Sequence, residues 1–328
     1  MKTLILNHSE VEQLLPMEAC ISVMEEALIT LARGDAHQPL RMAIKPADAA
    51  GLMGLMPAYM SGERAAYGLK AVCVFPGNSA IGKDAHQGAV VLFSAETGEI
   101  LALANASAIT AIRTAAVSGV ATRLLAGEEA GDLAIIGSGV QARSHLEAMR
   151  CVRPIKRVRV ASKRFENARK FVDEMRPLYS FPIEPLESIE AAVRGADLIV
   201  TATTAKEPII KRAWVPSGAH LNVVGSSIPT TREVDTETMA EASLFVDRRE
   251  STLNEAGDYL FAAREGAIGP EHIRAEIGEV LIGARPGRAA SEEITMFKSL
   301  GLAIEDLAAL DFIYQQAKKF DTGTWVEF

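Results

Sequence analysis

Three residues in the middle of the chain, Gly137, Ser138 and Gly139 in the stretch LAIIGSGVQARSH, are of the types that let a backbone wrap around an anion. An apolar run ends at Ile136 and a helical pattern begins near Gln141, so the turn lies where a strand feeds a helix. The first glycine permits a tight turn. The second lets the backbone approach a phosphate at the helix N-terminus, where unpaired N–H groups and the helix dipole favour negative charge. Ala142 stands where a third glycine often sits. A bare G-x-G-x-x-A also fits an ordinary strand-to-helix turn. The strand before it, the helix after it and a second strand about 20 residues on point to a dinucleotide, with Gly137, Ser138, Gly139, Val140 and Gln141 around its pyrophosphate.

The end of that second strand, in VRVASKRFENA, bears on which dinucleotide is held. An acidic side chain there holds a ribose 2′-hydroxyl, whereas a basic one accepts a 2′-phosphate. Here Ser162, Lys163 and Arg164 occupy the position and no acid does. The reading favours NADP(H), with NAD(H) possible.

These residues need a scaffold, and the chain supplies two textures. Val11, Leu14, Leu15, Ile21, Met24, Leu28 and Leu31 recur near a period of 3.6, which predicts a helix over 11–33. Short apolar runs from Leu40 to about Leu103, with SAETGE between two of them as a hairpin signal, predict a mixed, largely antiparallel sheet. A helix follows from roughly Ala108 to Ala126. Strand candidates Leu133–Ile136, Val158–Ala161, Leu198–Ala202, Leu221–Val224 and Leu244–Val246 then alternate with helical stretches, as a parallel sheet requires. The last segment, FKSLGLAIEDLAALDFIYQQAKKF, reads as helical. The fold class is therefore α/β, a doubly wound parallel sheet joined to a mixed α+β domain.

At 328 residues the chain exceeds the size at which one core usually stops growing, so two domains are expected. A formal net charge of −8 argues against a nucleic-acid partner, which depends on a surplus of lysine and arginine. Cys20, Cys73 and Cys151 form no C-x-x-C pair, and no histidine cluster has metal-ligand spacing, so no metal is expected and a reduced, cytoplasmic setting fits. The N-terminal MKTLILNHSEVEQLL does not read as a secretory leader, and no apolar run reads as long enough to span a bilayer.

Several separated stretches together resemble the ornithine cyclodeaminase and mu-crystallin family: GLMPAYM with GLKAV, TAIRTAAVSGVAT, IIGSGVQARSH, GAHLNVVGSSIP with REVD, and FKSLGLAIED. The likeness runs in order along nearly the whole chain. It implies a homodimer of two-domain chains. A dimerisation and substrate-binding domain over 1–113, to which a C-terminal helix 303–328 returns, would join a Rossmann dinucleotide-binding domain over 114–302. It also implies roles for named residues. Arg41 and Arg113 would clamp a substrate carboxylate, and Lys70 would lie against substrate and nicotinamide. Guanidinium groups grip carboxylates bidentately, and an ammonium in a closed site can donate a proton. Met56 and His86 would border the substrate pocket, Thr114 would meet the cofactor phosphate, and Leu300 with Gly301 the nicotinamide.

The chain departs from the cyclodeaminase pattern at one telling place. There the strand ending in V-G precedes a segment bearing an aspartate that acts in acid–base chemistry. Here VVGSSIPTTREVD puts Ser227 at that position, counted with both the substrate pocket and the cofactor site. A hydroxyl without an activating partner is no general base near neutral pH. Glu233 and Asp235 are expected at the start of the following helix, where negative charge suits the dipole. The resemblance thus leans to the ketimine-reductase branch: NAD(P)H-dependent reduction of small α-imino acids such as 1-pyrroline-2-carboxylate, iminosuccinate or iminopropionate, with L-amino-acid dehydrogenation as the reverse. Ornithine cyclodeamination is weakened by Ser227. A non-catalytic crystallin-like binding protein is disfavoured by the joint presence of Arg41, Lys70 and Arg113.

Overall fold

The computed structural model describes residues 2–327. The chain forms two compact units, Met1–Thr114 with Gly301–Phe328 and Ala115–Leu300. The first holds strands β1 (Lys2–Leu6), β2 (Ala36–His37), β3 (Met42–Ile44), β4 (Leu52–Met60), β5 (Ala66–Val74), β6 (His86–Ser94) and β7 (Ile100–Asn105). The second holds β8 (Asp132–Ile136), β9 (Arg157–Ala161), β10 (Ile183–Leu186), β11 (Leu198–Thr201), β12 (His220–Val223), β13 (Ser243–Val246), β14 (Ile273–Glu276) and β15 (Thr295–Lys298). A final strand, β16 (Thr324–Glu327), belongs again to the first unit.

The sheet of the first unit runs β16-β1-β7-β6-β5-β4-β2, with β3 also on β4. It is antiparallel except where β1 lies beside β7. The hairpin expected at SAETGE is the β6–β7 connection. Helix Ala303–Phe320 packs over β4, β5 and β6 and against helix Met17–Ala32. Its approach to β5 is close enough that a Cβ on Gly68 would come within 2.9 Å of Leu307 Cδ1. Glycine there is what lets the helix settle on the sheet.

Three local expectations are corrected. The stretch 11–33 is not one helix but two, His8–Leu14 and Met17–Ala32, because Pro16 lacks an N–H and sits as the extended cap between them. FKSL is not helical: Thr295–Lys298 is β15, a buried strand between β12 and β13, and the helix starts only at Ala303. That helix ends at Phe320, where Asp321 turns left-handed (φ 51°), and the last residues form β16 on β1. In addition, helix Ala106–Leu125 is long and apolar enough to cross a membrane by length and composition, although no run had read so. Most of it is buried in the protein, as a core helix is.

The sheet of the second unit is wholly parallel, in the order β10-β9-β8-β11-β12-β15-β13-β14. Its central strands are buried on both faces, and Leu133, Ile135, Val158, Leu198, Leu221 and Met296 are all inaccessible to solvent. The strand order reverses between β8 and β11. That reversal leaves a crevice beyond their carboxyl ends, where parallel sheets of this kind hold ligands.

Candidate active site

In the first unit the chemistry gathers on the inner face of the sheet. Alternation along β5 turns Ala66, Gly68, Lys70 and Val72 inward, so an ammonium stands where the pattern calls for an apolar side chain. Lys70 is only 3% exposed. Its Nζ lies 2.7 Å from Asp306 Oδ2. On helix Ala106–Leu125, Arg113 is equally buried; its Nε donates to Asp306 Oδ1 at 3.0 Å and its Nη1 to Glu305 Oε2 at 2.6 Å. Glu305 and Asp306 both lie in the first turn of helix Ala303–Phe320, and Glu305 Oε2 also accepts from the Leu302 N–H at 3.1 Å. Removing such ions from water costs several kcal/mol each, which only close pairing of this kind offsets.

Burial lowers the pKa of Lys70 from 10.5 to about 8, with Asp306 opposing the fall and the charges of Arg113 and Arg41 deepening it. Near neutral pH the side chain is therefore mainly ammonium, but within reach of titration. Arg41, just before β3, is half-buried. Met56 lies directly across from Lys70 in the β4–β5 register and is buried. His86 opens β6 and is exposed, yet partial burial followed by the charges of Lys70 and Arg113 lowers its pKa. Gly301 (φ +79°) packs on Arg113: a Cβ there would run into the guanidinium. Thr114 is buried beside Arg113 as the last residue before the chain enters the second unit. The first unit thus brings Lys70, Arg113, Arg41, Met56, His86 and Gly301 into one neighbourhood. Lys70, Arg113 and Arg41 together offer positive charge to an arriving carboxylate.

In the second unit the Gly-rich turn follows β8. Gly137 has φ +120°, and a Cβ on it would strike the Ala202 carbonyl beyond β11, so only glycine fits. Gly139 caps helix Val140–Val152 with no side-chain hydrogen bond, and a Cβ there would meet nothing within 4 Å. Gly139 and Val140 are exposed, Ser138 and Gln141 half-buried. Arg143 Nη1 braces the turn by donating to the carbonyls of Ser138 (2.7 Å) and Gly139 (3.1 Å). An open, glycine-lined helix N-terminus at the reversal of a parallel sheet fits a pyrophosphate. Ser162, just past β9, lies 3.1 Å from Ser138, hydroxyl to hydroxyl, which joins the turn to the next strand end. Lys163 and Arg164 are exposed and form no ion pair among the described residues. Leu300 is buried, its N–H donating to Asp247 Oδ2 at 2.6 Å.

Beyond β12 the expectations change. Ser227 is half-buried and makes no hydrogen bond to another described residue; Ser226, its neighbour, donates to the Thr231 carbonyl. Asp235 does cap helix Thr236–Glu241, accepting from the Thr238 N–H at 2.9 Å. Glu233 does not sit at that helix start. It is fully buried and accepts from Thr201 Oγ1 (2.8 Å), Thr203 N (2.8 Å), Thr203 Oγ1 (2.7 Å) and Gly225 N (2.7 Å). It therefore ties together the loops after β11 and β12, and Thr203 in turn adjoins Gly137. Beneath it, Asp258 accepts from the N–H groups of Glu233 (2.6 Å) and Val234 (3.1 Å) and pairs with buried Lys298 at 3.0 Å.

Sequence reasoning gave Glu233 the wrong setting and missed Glu305 and Asp306. A signal existed for the last two: the helix bearing them is apolar on nearly every side, so acids in its first turn have no solvent to face.

A glycine turn at the reversal point of a parallel sheet, together with a unit that buries a titratable lysine among paired arginine and carboxylates, defines a dinucleotide-binding protein equipped for acid–base chemistry. The chain belongs to the ornithine cyclodeaminase/mu-crystallin family, which residues 1–321 match. The ketimine reductase mu-crystallin of Mus musculus is 41% identical over 297 residues, 90% of each chain. The solved Δ1-pyrroline-2-carboxylate reductase of Thermococcus litoralis, in complex with NADH and L-proline, has a TM-score of 0.96 and 38% identity, covering 99% of this chain and 100% of that one. An archaeal alanine dehydrogenase dimer with bound NAD has a TM-score of 0.93 and 35% identity over the whole of both chains. By name these relatives are a ketimine reductase, a Δ1-pyrroline-2-carboxylate reductase and an alanine dehydrogenase, and the two solved structures hold NADH and NAD.

Proposed function

We propose that the protein is an NAD(P)H-dependent reductase of small α-imino acids, with L-amino-acid dehydrogenation as the reverse reaction. The observation that carries this reading is the pairing of Lys70 with Asp306 on an inner sheet face, close to Arg113 and coupled by charge to Arg41. Arg41 and Arg113 hold the substrate carboxylate. Arg113, fixed by Glu305 and Asp306, presents its charge in one orientation. The Lys70 ammonium donates a proton to the imine nitrogen. Met56 and His86 border the substrate. When bound, the dinucleotide supplies the hydride that reduces the imine carbon.

Cyclodeamination is disfavoured by the segment Ser226–Asp235 beyond β12. Ser227 has no activating partner among the described residues, Asp235 caps a helix and Glu233 is engaged by four donors. No carboxylate of that segment serves as a base.

For the cofactor, Ser162, Lys163 and Arg164 support a 2′-phosphate, hence NADP(H), since both cations are exposed and outside any ion pair among the described residues. The bound NADH and NAD of two relatives favour NAD(H) as the second reading. We also infer a homodimer, supported by the dimeric alanine dehydrogenase relative. Light scattering of the purified protein tests it.

The experiment for the activity is oxidation of NADPH and, separately, NADH by purified protein. The panel is 1-pyrroline-2-carboxylate, 1-piperideine-2-carboxylate, and 2-oxo acids with ammonia or methylamine. Rapid oxidation with one member is expected. No oxidation with any of them, combined with ammonia release from ornithine at constant cofactor, would establish the cyclodeaminase instead.

A further inference from the structure

We propose that Asp306 is the positioning residue of Lys70: its carboxylate holds the ammonium in place and keeps it charged, so that Lys70 meets substrate as a proton donor. This rests on the reductase reading above. The geometry that carries it is a carboxylate shared between two buried cations. Asp306 Oδ2 lies 2.7 Å from Lys70 Nζ, and Oδ1 accepts from Arg113 Nε at 3.0 Å. Lys70 and Asp306 are 3% and 1% exposed, so water does little to support either charge.

The surroundings of Lys70 make Asp306 decisive. Arg113 on helix Ala106–Leu125, Arg41 ahead of β3 and His86 at the start of β6 all face it with positive or potentially positive charge. Glu305, the other acid nearby, is bonded to Arg113 and to the Leu302 N–H. Asp306 is therefore the one carboxylate among the described residues paired directly with Lys70. It opposes burial and the neighbouring cations, which together draw Lys70 down to about 8. Without it, Lys70 would be largely a neutral amine at the pH where it must give a proton.

The proton balance is simple. The imine nitrogen takes a proton from Lys70 as hydride arrives at the imine carbon, giving the amine. Lys70 is left as a neutral amine beside Asp306 and recovers its proton from water.

The test combines NMR of protein labelled with 15N-lysine and 13C-aspartate with pH profiles of turnover. The Lys70 Nζ signal is assigned with Lys70→Arg. In the unaltered protein, the Asp306 Cγ signal is expected to respond at the Lys70 midpoint, and turnover to fall as pH rises through that value. Asp306→Asn is expected to lower the Lys70 midpoint by at least about one pH unit and to move the alkaline limb of kcat by the same amount, while Asp306→Glu restores both. A Lys70 midpoint and kcat limb unmoved by Asp306→Asn would overturn the proposal. If that variant does not fold, an Asp306 Cγ signal indifferent to Lys70 titration overturns it just as well. Should the unaltered protein reduce no imine, the activity reading fails, while the two NMR signals still decide whether Asp306 governs the charge of Lys70.

Discussion

The two units bury charge to opposite ends. In the first, Lys70 and Arg113 lie paired with Glu305 and Asp306, side chain to side chain, and on this cluster the proposed chemistry rests. In the second, Glu233, Asp258 and Lys298 are just as buried, but their bonds run largely to backbone N–H groups and carbonyls, and what they hold is the shape of loops. There the surface proposed to meet the dinucleotide is backbone, at Gly137 and Gly139, and the buried charges brace the loops beside it. Burial alone thus does not mark a catalytic group. The partner does: a titratable cation coupled to other cations is poised for chemistry, and a carboxylate saturated by N–H and O–H donors is a clamp.

The largest effect that could break this contrast is at Lys70. Lys70→Met is expected to cut imine reduction by about 10²–10⁴-fold. Nucleotide binding, followed by fluorescence titration, should remain. Full turnover would remove the first unit's lysine from the chemistry.

Next comes the clamp. Glu233→Ala leaves two partly buried N–H groups and two hydroxyls without their acceptor, and a loss of about 2–4 kcal/mol in urea unfolding is expected, with weaker nucleotide binding. Unchanged stability would show that the second unit's buried acid does not hold the loops.

A smaller effect concerns pH. His145, bonded to Ser118 Oγ and the Gln141 carbonyl, and His220, bonded to Thr295 Oγ1, are buried and neutral, burial lowering their pKa from 6.5 to about 4 and about 3. Below pH 6.5 the unfolded chain binds protons that the folded one refuses. Stability therefore falls with pH from 6.5 until about 4 for His145 and about 3 for His220. Between pH 7 and 5 each accounts for roughly 2 kcal/mol, and His145→Gln should remove that share of the loss in urea unfolding at the two pH values. An equal loss in the variant would mean that His145 already titrates in the native state.

The smallest effect sharpens the cofactor reading. Arg164→Ala is expected to weaken NADPH binding by about tenfold, as loss of one charge-assisted contact does, and to spare NADH. Equal weakening of both, or of neither, would contradict a 2′-phosphate site.

Much of the molecule is legible in its residue order. The turn at Gly137–Gly139 can be read because its requirements are local: a positive φ, an apolar strand before and a helix after. The antiparallel sheet and the strands β8, β9, β11, β12 and β13 come from apolar runs and turn residues in the same way. Where a local pattern is ambiguous, tertiary context wins. FKSL has the composition of a helix end, yet it lies between β12 and β13, with Lys298 neutralised by Asp258 in the interior.

By itself the sequence determined the parallel and antiparallel textures and the dinucleotide turn, since residue type and neighbours within a few positions carry that information, whereas Lys70, Arg41 and Arg113 became candidates through the resemblance of whole stretches to a family. The tertiary structure alone decided which carboxylates answer those cations and which serve as clamps. Arg113 meets Asp306 across 193 residues of chain, and Glu233 meets Thr201 across 32. An acid in a first helical turn looks the same in sequence whether it faces water, a dipole or a buried ammonium. Only the packing of helix Ala303–Phe320 onto β5 removes the water and leaves Asp306 with Lys70.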